Sequence, residues 1–266
     1  PDIKPANFAD MDELGKQLTR GEVERDGTRL EIPFLELTET ELTQRRYEIT
    51  RLGFDPTVAQ VWMPYFPGWF GGGIMDPETG LVDYEAPALE AALAWYHAFF
   101  ETYGLEQVRR FGSSHGGFAS SGNPFFSGKV AMIINGPWLP KFAEEYAPGL
   151  RFRSCPLPSS SGSETPTTLA DSDIIVIPRG AKHPREALAF LAFLSQPEIS
   201  EELNLAQSKM SPLAKRSPSF VEQHPNREID RFHKVMTEGE PFLVYRNDVF
   251  SRYISELYTP FDITSR

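Results

Sequence analysis

Apolar side chains return at helical spacing in several stretches of the chain. From Phe8 to Leu18, the residues Met11, Leu14 and Leu18 share one face, which predicts a helix. Pro87 to Tyr103 carries the clearest period. Leu89, Ala92, Leu93, Tyr96 and Phe100 fall on one side, Pro87 suits a first turn, and Gly104 suits the carboxyl-terminal cap. Arg185 to Leu194, opened by Pro184, is apolar all round and is therefore expected to pack on several sides. Trp138 to Tyr146, Arg227 to Met236 and Asn247 to Leu257 read as further helices, the last two amphipathic.

Extended segments lie between them. Leu30 to Leu37 has the look of a strand, with Pro33 arguing for an edge because proline has no ladder donor. Lys129 to Ile134 is an apolar run of the kind that forms a buried strand, stopped by Asn135-Gly136-Pro137-Trp138. Leu150 to Leu157 reads as extended, and Ser159 to Thr168 as a solvated loop. Asp173 to Ile177, a β-branched run closed by Pro178, is expected to be a buried strand. No repeat of fixed period occurs. Strands separated by helices predict an α/β fold with helices over a sheet, a class that binds ligands beyond the carboxyl ends of its strands.

That rule gives the aromatic residues their interest. A strand ending on Asn135-Gly-Pro-Trp138 delivers a rigid turn and a flat indole to such a crevice, where the indole face matches the C–H face of a sugar ring. Val61 to Gly73 (VWMPYFPGWFGGG) sets Trp62, Tyr65, Phe66, Trp69 and Phe70 around two prolines and ends on three glycines, a composition suited to a pocket wall. For both stretches the ordinary alternative is rings buried in a core.

Charge and size narrow the partners. The 266 residues include 26 Lys+Arg and 37 Asp+Glu, a net charge of −11 that repels phosphate backbones and anionic headgroups, and no basic patch offsets it. Nucleic acid is therefore not expected as a partner. The longest apolar run, Ala187 to Leu194, falls far short of the roughly 18 residues a membrane span needs. Cys155 is the only cysteine, so an internal disulfide is excluded, and a buried, inert thiol is the expectation. The histidines at 97, 115, 183, 224 and 233 share no metal-binding spacing and read as surface or helix residues, so no metal is expected. Gly71-Gly-Gly73 lacks the Lys-Ser/Thr of a phosphate loop, and no cofactor is implied.

Catalysis has two candidate forms. Gly112-Ser113-Ser114-His115-Gly116 satisfies the G-x-S-x-G spacing of a hydrolase nucleophile, which would make Ser114 the nucleophile of a serine hydrolase. That elbow needs a buried strand before it, whereas Glu106 to Phe111 is charged and helix-like. A glycoside hydrolase using paired acids is the other form, with acids too abundant to nominate a pair. Neither outweighs a non-enzymatic reading.

Four stretches, taken in order, resemble one family: residues 71–100 (GGGIMDPETGLVDYEAPALEAALAWYHAFF), 125–138 (FFSGKVAMIINGPW), 173–204 (DIIVIPRGAKHPREALAFLAFLSQPEISEELN) and 208–217 (SKMSPLAKRS). They are similar to the extracellular solute-binding proteins of bacterial ABC sugar importers, the maltose-binding-protein-like group. The resemblance implies a type II periplasmic-binding-protein fold, two α/β lobes closing on a carbohydrate that is then delivered to an ABC permease, on the periplasmic or extracellular face of the cell membrane. By the same resemblance Trp138 and Trp62 stack on sugar, and Tyr65 and Trp69 rim the wall near the Gly72-Gly73 pair. Gly72, Gly73 and the turn residue Asn135 are expected among the ligand-binding residues, and Asp171 and Asp173 can accept sugar hydroxyls, although Asp173 can equally cap a strand in solvent. The chain departs from the family at Ala170-Asp171, where many relatives have a glycine pair, while Ser211-Pro212 resembles the return toward the hinge. The expected layout is a second, carboxyl-terminal lobe over residues 1–172, a crossover segment of the first lobe over 173–210, and return helices over 211–266 with a truncated end. On that layout the chain is a fragment lacking most of the first lobe, keeping one aromatic wall and binding sugar weakly or not at all alone.

Overall fold

Asn7 starts the first helix. Its side-chain oxygen accepts from the Asp10 amide at 2.8 Å and caps α1, Phe8–Leu18. A computed structural model describes residues 5–58, 65–73, 76, 78–79, 81, 83, 85–117, 119–158, 160 and 165–243. Helix α1 leads into a hairpin of β1, Arg20–Arg25, and β2, Thr28–Pro33. Its two-residue turn is Asp26-Gly27, both at positive φ (51° and 73°), the conformation that lets a tight turn follow the twist of the strands. Pro33 ends the edge strand β2, and a capping box on Thr38 and Glu41 opens the short α2, Glu39–Thr43.

Strand β3, Glu48–Phe54, pairs antiparallel with β1 and parallel with β4, Val130–Met132, so the sheet order is β2-β1-β3-β4. Between them run α3, Phe66–Trp69, α4, Pro87–Tyr103, and α5, Leu105–Gly112. Helix α1 lies directly on β3, because Gly15 and Gly53 remove the side chains at the crossing: a Cβ on Gly53 would sit 2.0 Å from the Gly15 carbonyl oxygen. Thr19, fully buried at the end of α1, donates to that same carbonyl at 2.8 Å and accepts from the Gly53 amide at 2.9 Å, pinning helix to sheet. One core cluster, centred on Leu52, Tyr103 and Val130, lies under the hairpin; a second, around Phe8, Phe54, Phe66 and Tyr96, lies under α3 and α4.

Beyond α6, Leu139–Tyr146, the chain forms a separate parallel pair from β5, Thr167–Ala170, and β6, Glu240–Leu243. Between these strands come α7, Pro184–Leu194, α8, Pro197–Ala206, α9, Pro218–Gln223, and α10, Ile229–Glu238.

Several expectations are corrected here. Residues 150–157 form no strand. Residues 173–177 form no strand either: Ile174, Ile175 and Val176 are 76%, 59% and 68% exposed, because no described strand lies beside them to pair with. Helix α7 has no buried residue and shows Leu188, Phe190 and Phe193 to solvent, since no described layer covers it. Cys155 is exposed on the irregular segment after α6, not entombed. The expected helix 247–257 lies outside the described residues, and so does part of the loop 159–168.

Candidate functional site

The parallel strands β3 and β4 end side by side, with Phe54 opposite Met132, and the segments beyond their carboxyl ends form the site. After β4 the backbone runs through Asn135-Gly136-Pro137 to Trp138, which caps α6. The Asn135 side-chain oxygen accepts from the Gly136 amide at 2.8 Å, while its Nδ2 is buried with no hydrogen-bond partner among the described residues. Trp138 is half-buried. Its indole folds back on Gly136 so closely that a Cβ there would lie 2.3 Å from Cη2. Gly136 is therefore what lets a flat ring lie on its own turn.

The second aromatic group comes from α3. Phe66 and Trp69 are buried, and Tyr65 and Phe70 are half-buried. Trp69 meets Phe66 edge-on (5.7 Å between centroids) and Phe242 of β6 edge-on (5.1 Å). The Phe242 ring also covers Gly68, where a Cβ would come within 2.2 Å of it. Trp69 thus lies beneath the wall, as part of the core, while Tyr65 is at its margin. The same cluster reaches Met132 and Ile134, so it adjoins the strand that carries Asn135 and Trp138. Gly71, at φ 87°, turns the chain after α3. Gly72 packs on the start of α4, where a Cβ would lie 2.8 Å from the Ala88 Cβ, and Gly73 is exposed. Trp62 lies outside the described residues.

Under this wall Trp95 donates its indole N–H to Asp12 of α1 at 3.1 Å. Burial pushes the Asp12 carboxyl up to about 6, against the opposing pull of the Trp95 hydrogen bond and the nearby Lys16 charge.

Asp171 and Asp173 follow the carboxyl end of β5 and are exposed. Asp171 accepts from the Ser172 amide at 2.8 Å, and Asp173 is ion-paired with Lys209. The Gly112–Gly116 motif comes after helix α5, not after a strand, and the Ser114 hydroxyl donates to the Phe111 carbonyl at 3.4 Å, so no nucleophile elbow is formed. Among the described residues no group of three histidine, cysteine or acidic side chains could hold a metal.

One part of the site had no sequence signal. His224, read from the sequence as a surface or helix residue, is 1% exposed and bridges two segments. Its Nδ1 accepts from the Asn226 amide at 3.0 Å, which leaves the proton on Nε2 to be donated to the Lys209 carbonyl at 3.0 Å. Asn226, also buried, donates from Nδ2 to the carbonyl of Pro137 at 3.0 Å. These partners are 15 and 89 residues away in the chain, beyond the reach of any local pattern.

In α/β layers of this kind the crevice beyond the carboxyl ends of the parallel strands is the usual place for a ligand. The sequence profile of the bacterial extracellular solute-binding proteins matches residues 3–227, and the chain belongs to that family. CpMnBP1 with mannobiose bound shares its fold at a TM-score of 0.71 and 22% identity, over 99% of this chain and 63% of that one. CpMnBP1 with mannotriose bound gives 0.70 at 22% identity, over 99% and 64%. The chain thus spans less than two thirds of the length of the solved structures it matches. No curated protein matches the chain.

Proposed function

We propose that the chain is the ligand-holding part of a carbohydrate-binding protein serving an ABC importer, acting by capture and delivery without a covalent step. The observation that carries this reading is Trp138: a half-buried indole at the carboxyl end of a parallel strand, laid on Gly136, in a chain of the solute-binding family. The face of the ring away from Gly136 receives the apolar side of a pyranose, and Asn135 supplies the amide closest to it in sequence. The sugars in the two CpMnBP1 structures, mannobiose and mannotriose, make manno-oligosaccharides the first ligands to try.

Tyr65 and Trp62 extend the platform, with Trp69 supporting it from below and Gly72-Gly73 shaping the loop. Asp171 and Asp173 act at its hinge side, Asp173 through Lys209. Residues 1–172 form the second lobe, 173–210 a segment of the first, and 211–266 the return. Two features support this layout: the separate β5-β6 pair, and the apolar surface from Ile174 to Phe193, which has the character of a face that a further layer covers. A permease partner and a place on the outer side of the cell membrane belong to the same reading, and no described helix is long and apolar enough to cross a membrane.

Saturation-transfer NMR, which detects weak binding, tests the proposal. Mannotriose protons on the apolar ring face should receive magnetisation from the protein, and Trp138→Ala should abolish it. Absence of transfer at millimolar sugar, or transfer that persists in Trp138→Ala, refutes the reading.

A further inference from the structure

We propose that Asn226 is the positioning residue for Trp138, an inference that rests on Trp138 being the sugar platform. Pro137 immediately precedes the indole, and its ring locks φ, so the one soft backbone torsion between that ring and Trp138 is ψ of Pro137. The direction of the Pro137 carbonyl reports that torsion. Asn226 Nδ2 holds this carbonyl at 3.0 Å. Proline and asparagine together therefore fix the Trp138 Cα from both sides of the peptide.

Asn226 is itself over-determined. Its side-chain oxygen accepts from the Glu228 amide at 2.9 Å, and its own amide donates to His224 Nδ1. The Glu228 carboxylate in turn accepts from the Ser154 amide and from Arg153 Nε at 2.8 Å. His224 passes the anchorage to the Lys209 carbonyl, and the Lys209 ammonium pairs with Asp173. The turn that bears the indole is thus tied, through two buried polar side chains, to the segment that leaves β5. Every polar atom of the Asn226 side chain that the link needs is used, and a donor is required at Nδ2. Aspartate, the same shape without that donor, cannot replace it.

The test labels the protein with 5-fluorotryptophan and reads its four tryptophans by fluorine NMR, the Trp138 line being assigned with Trp138→Phe. In Asn226→Asp the Trp138 resonance should shift or broaden while those of Trp69 and Trp95 stay in place. Mannotriose binding should fall by up to about tenfold in Asn226→Asp, the size that loss of one hydrogen bond supports. Should Asn226→Asp not fold, Asn226→Ser, which keeps an oxygen acceptor for the Glu228 amide, carries the same two readings. An unmoved Trp138 resonance in a folded variant overturns the proposal. A moved resonance in the variant, with no sugar bound by the wild-type protein either, supports the positioning role and refutes the carbohydrate reading instead.

Discussion

Gly136→Ala separates the ring from the fold. A built Cβ meets Cη2, Cζ2 and Cζ3 of Trp138 at 2.3, 2.5 and 2.5 Å. Carbon atoms rest at about 3.5–4.0 Å, so the indole has to withdraw by about 1 Å or swing to another rotamer. The backbone is no obstacle, since Gly136 is not among the glycines at positive φ. Alanine there also restricts the unfolded chain, a gain of roughly 0.4–1 kcal/mol that offsets part of the lost ring contact. The net change in stability should stay within about 1 kcal/mol, whereas a stacking contact opened by about 0.5–1 Å forfeits roughly a quarter to a half of its dispersion attraction for a flat sugar face. Mannotriose affinity should drop by at least about tenfold, or ~1.4 kcal/mol. Isothermal titration or saturation transfer reads the affinity, and a thermal melt reads the fold. Gly112→Ala, whose Cβ would meet nothing within 4 Å, is the control and should leave binding unchanged. Undiminished binding by Gly136→Ala would show that the indole's resting place is irrelevant to the ligand, and a large loss of stability would show that it belongs to the core.

Two further outcomes concern stability. Helix α8 ends with Ser208 at φ 53°, the Lys209 amide donating to the Asn204 carbonyl at 2.9 Å and the Ser208 amide to Leu205 at 3.0 Å, the left-handed ending that glycine fits best. The Ser208 hydroxyl is buried there without a partner among the described residues, so Ser208→Gly should stabilise the protein by about 1 kcal/mol in a denaturant titration; a destabilised variant would contradict this. The Asp12 carboxyl, raised to about 6 in the fold from an ordinary 3.8, keeps its proton to higher pH than the unfolded chain does, so its contribution to stability falls as pH rises from about 4 to 6 and stays unfavourable above that. Asp12→Asn retains an acceptor for Trp95 and should therefore raise the melting temperature more at pH 7 than at pH 4; an equal gain at both would refute the assignment.

Much of the architecture is present in the residue pattern. Helices α1 and α4 have the ranges that their apolar period and caps predict, because a helix of three or more turns carries its period, its start and its stop in contiguous residues. Pro33 marks an edge strand for a reason as local as its missing N–H. The hairpin of β1 and β2 is not legible in the apolar pattern although Asp26-Gly27 is a strong turn signal, since Arg20–Arg25 alternates too few apolar residues to announce a strand. The aromatic composition of 61–73 and the turn 135–138 single out candidate rings, but composition does not distinguish a ring on a wall from one beneath it. Trp69 and Tyr65 are four residues apart, and the first is buried where Phe66 and Phe242 of β6 pack against it.

The sequence by itself determined the periodic elements, the turns and the chemistry offered at the strand ends, because those depend on neighbours along the chain. Tertiary structure alone decided which apolar runs are covered and which polar groups meet. Ile174 to Val176 have the character of a core strand yet stand in solvent for want of a strand beside them, and His224 and Asn226 acquire their meaning only when Lys209 and Pro137 are brought to them. Burial and long-range hydrogen bonds are properties of pairs distant in the chain, and no single stretch contains both members.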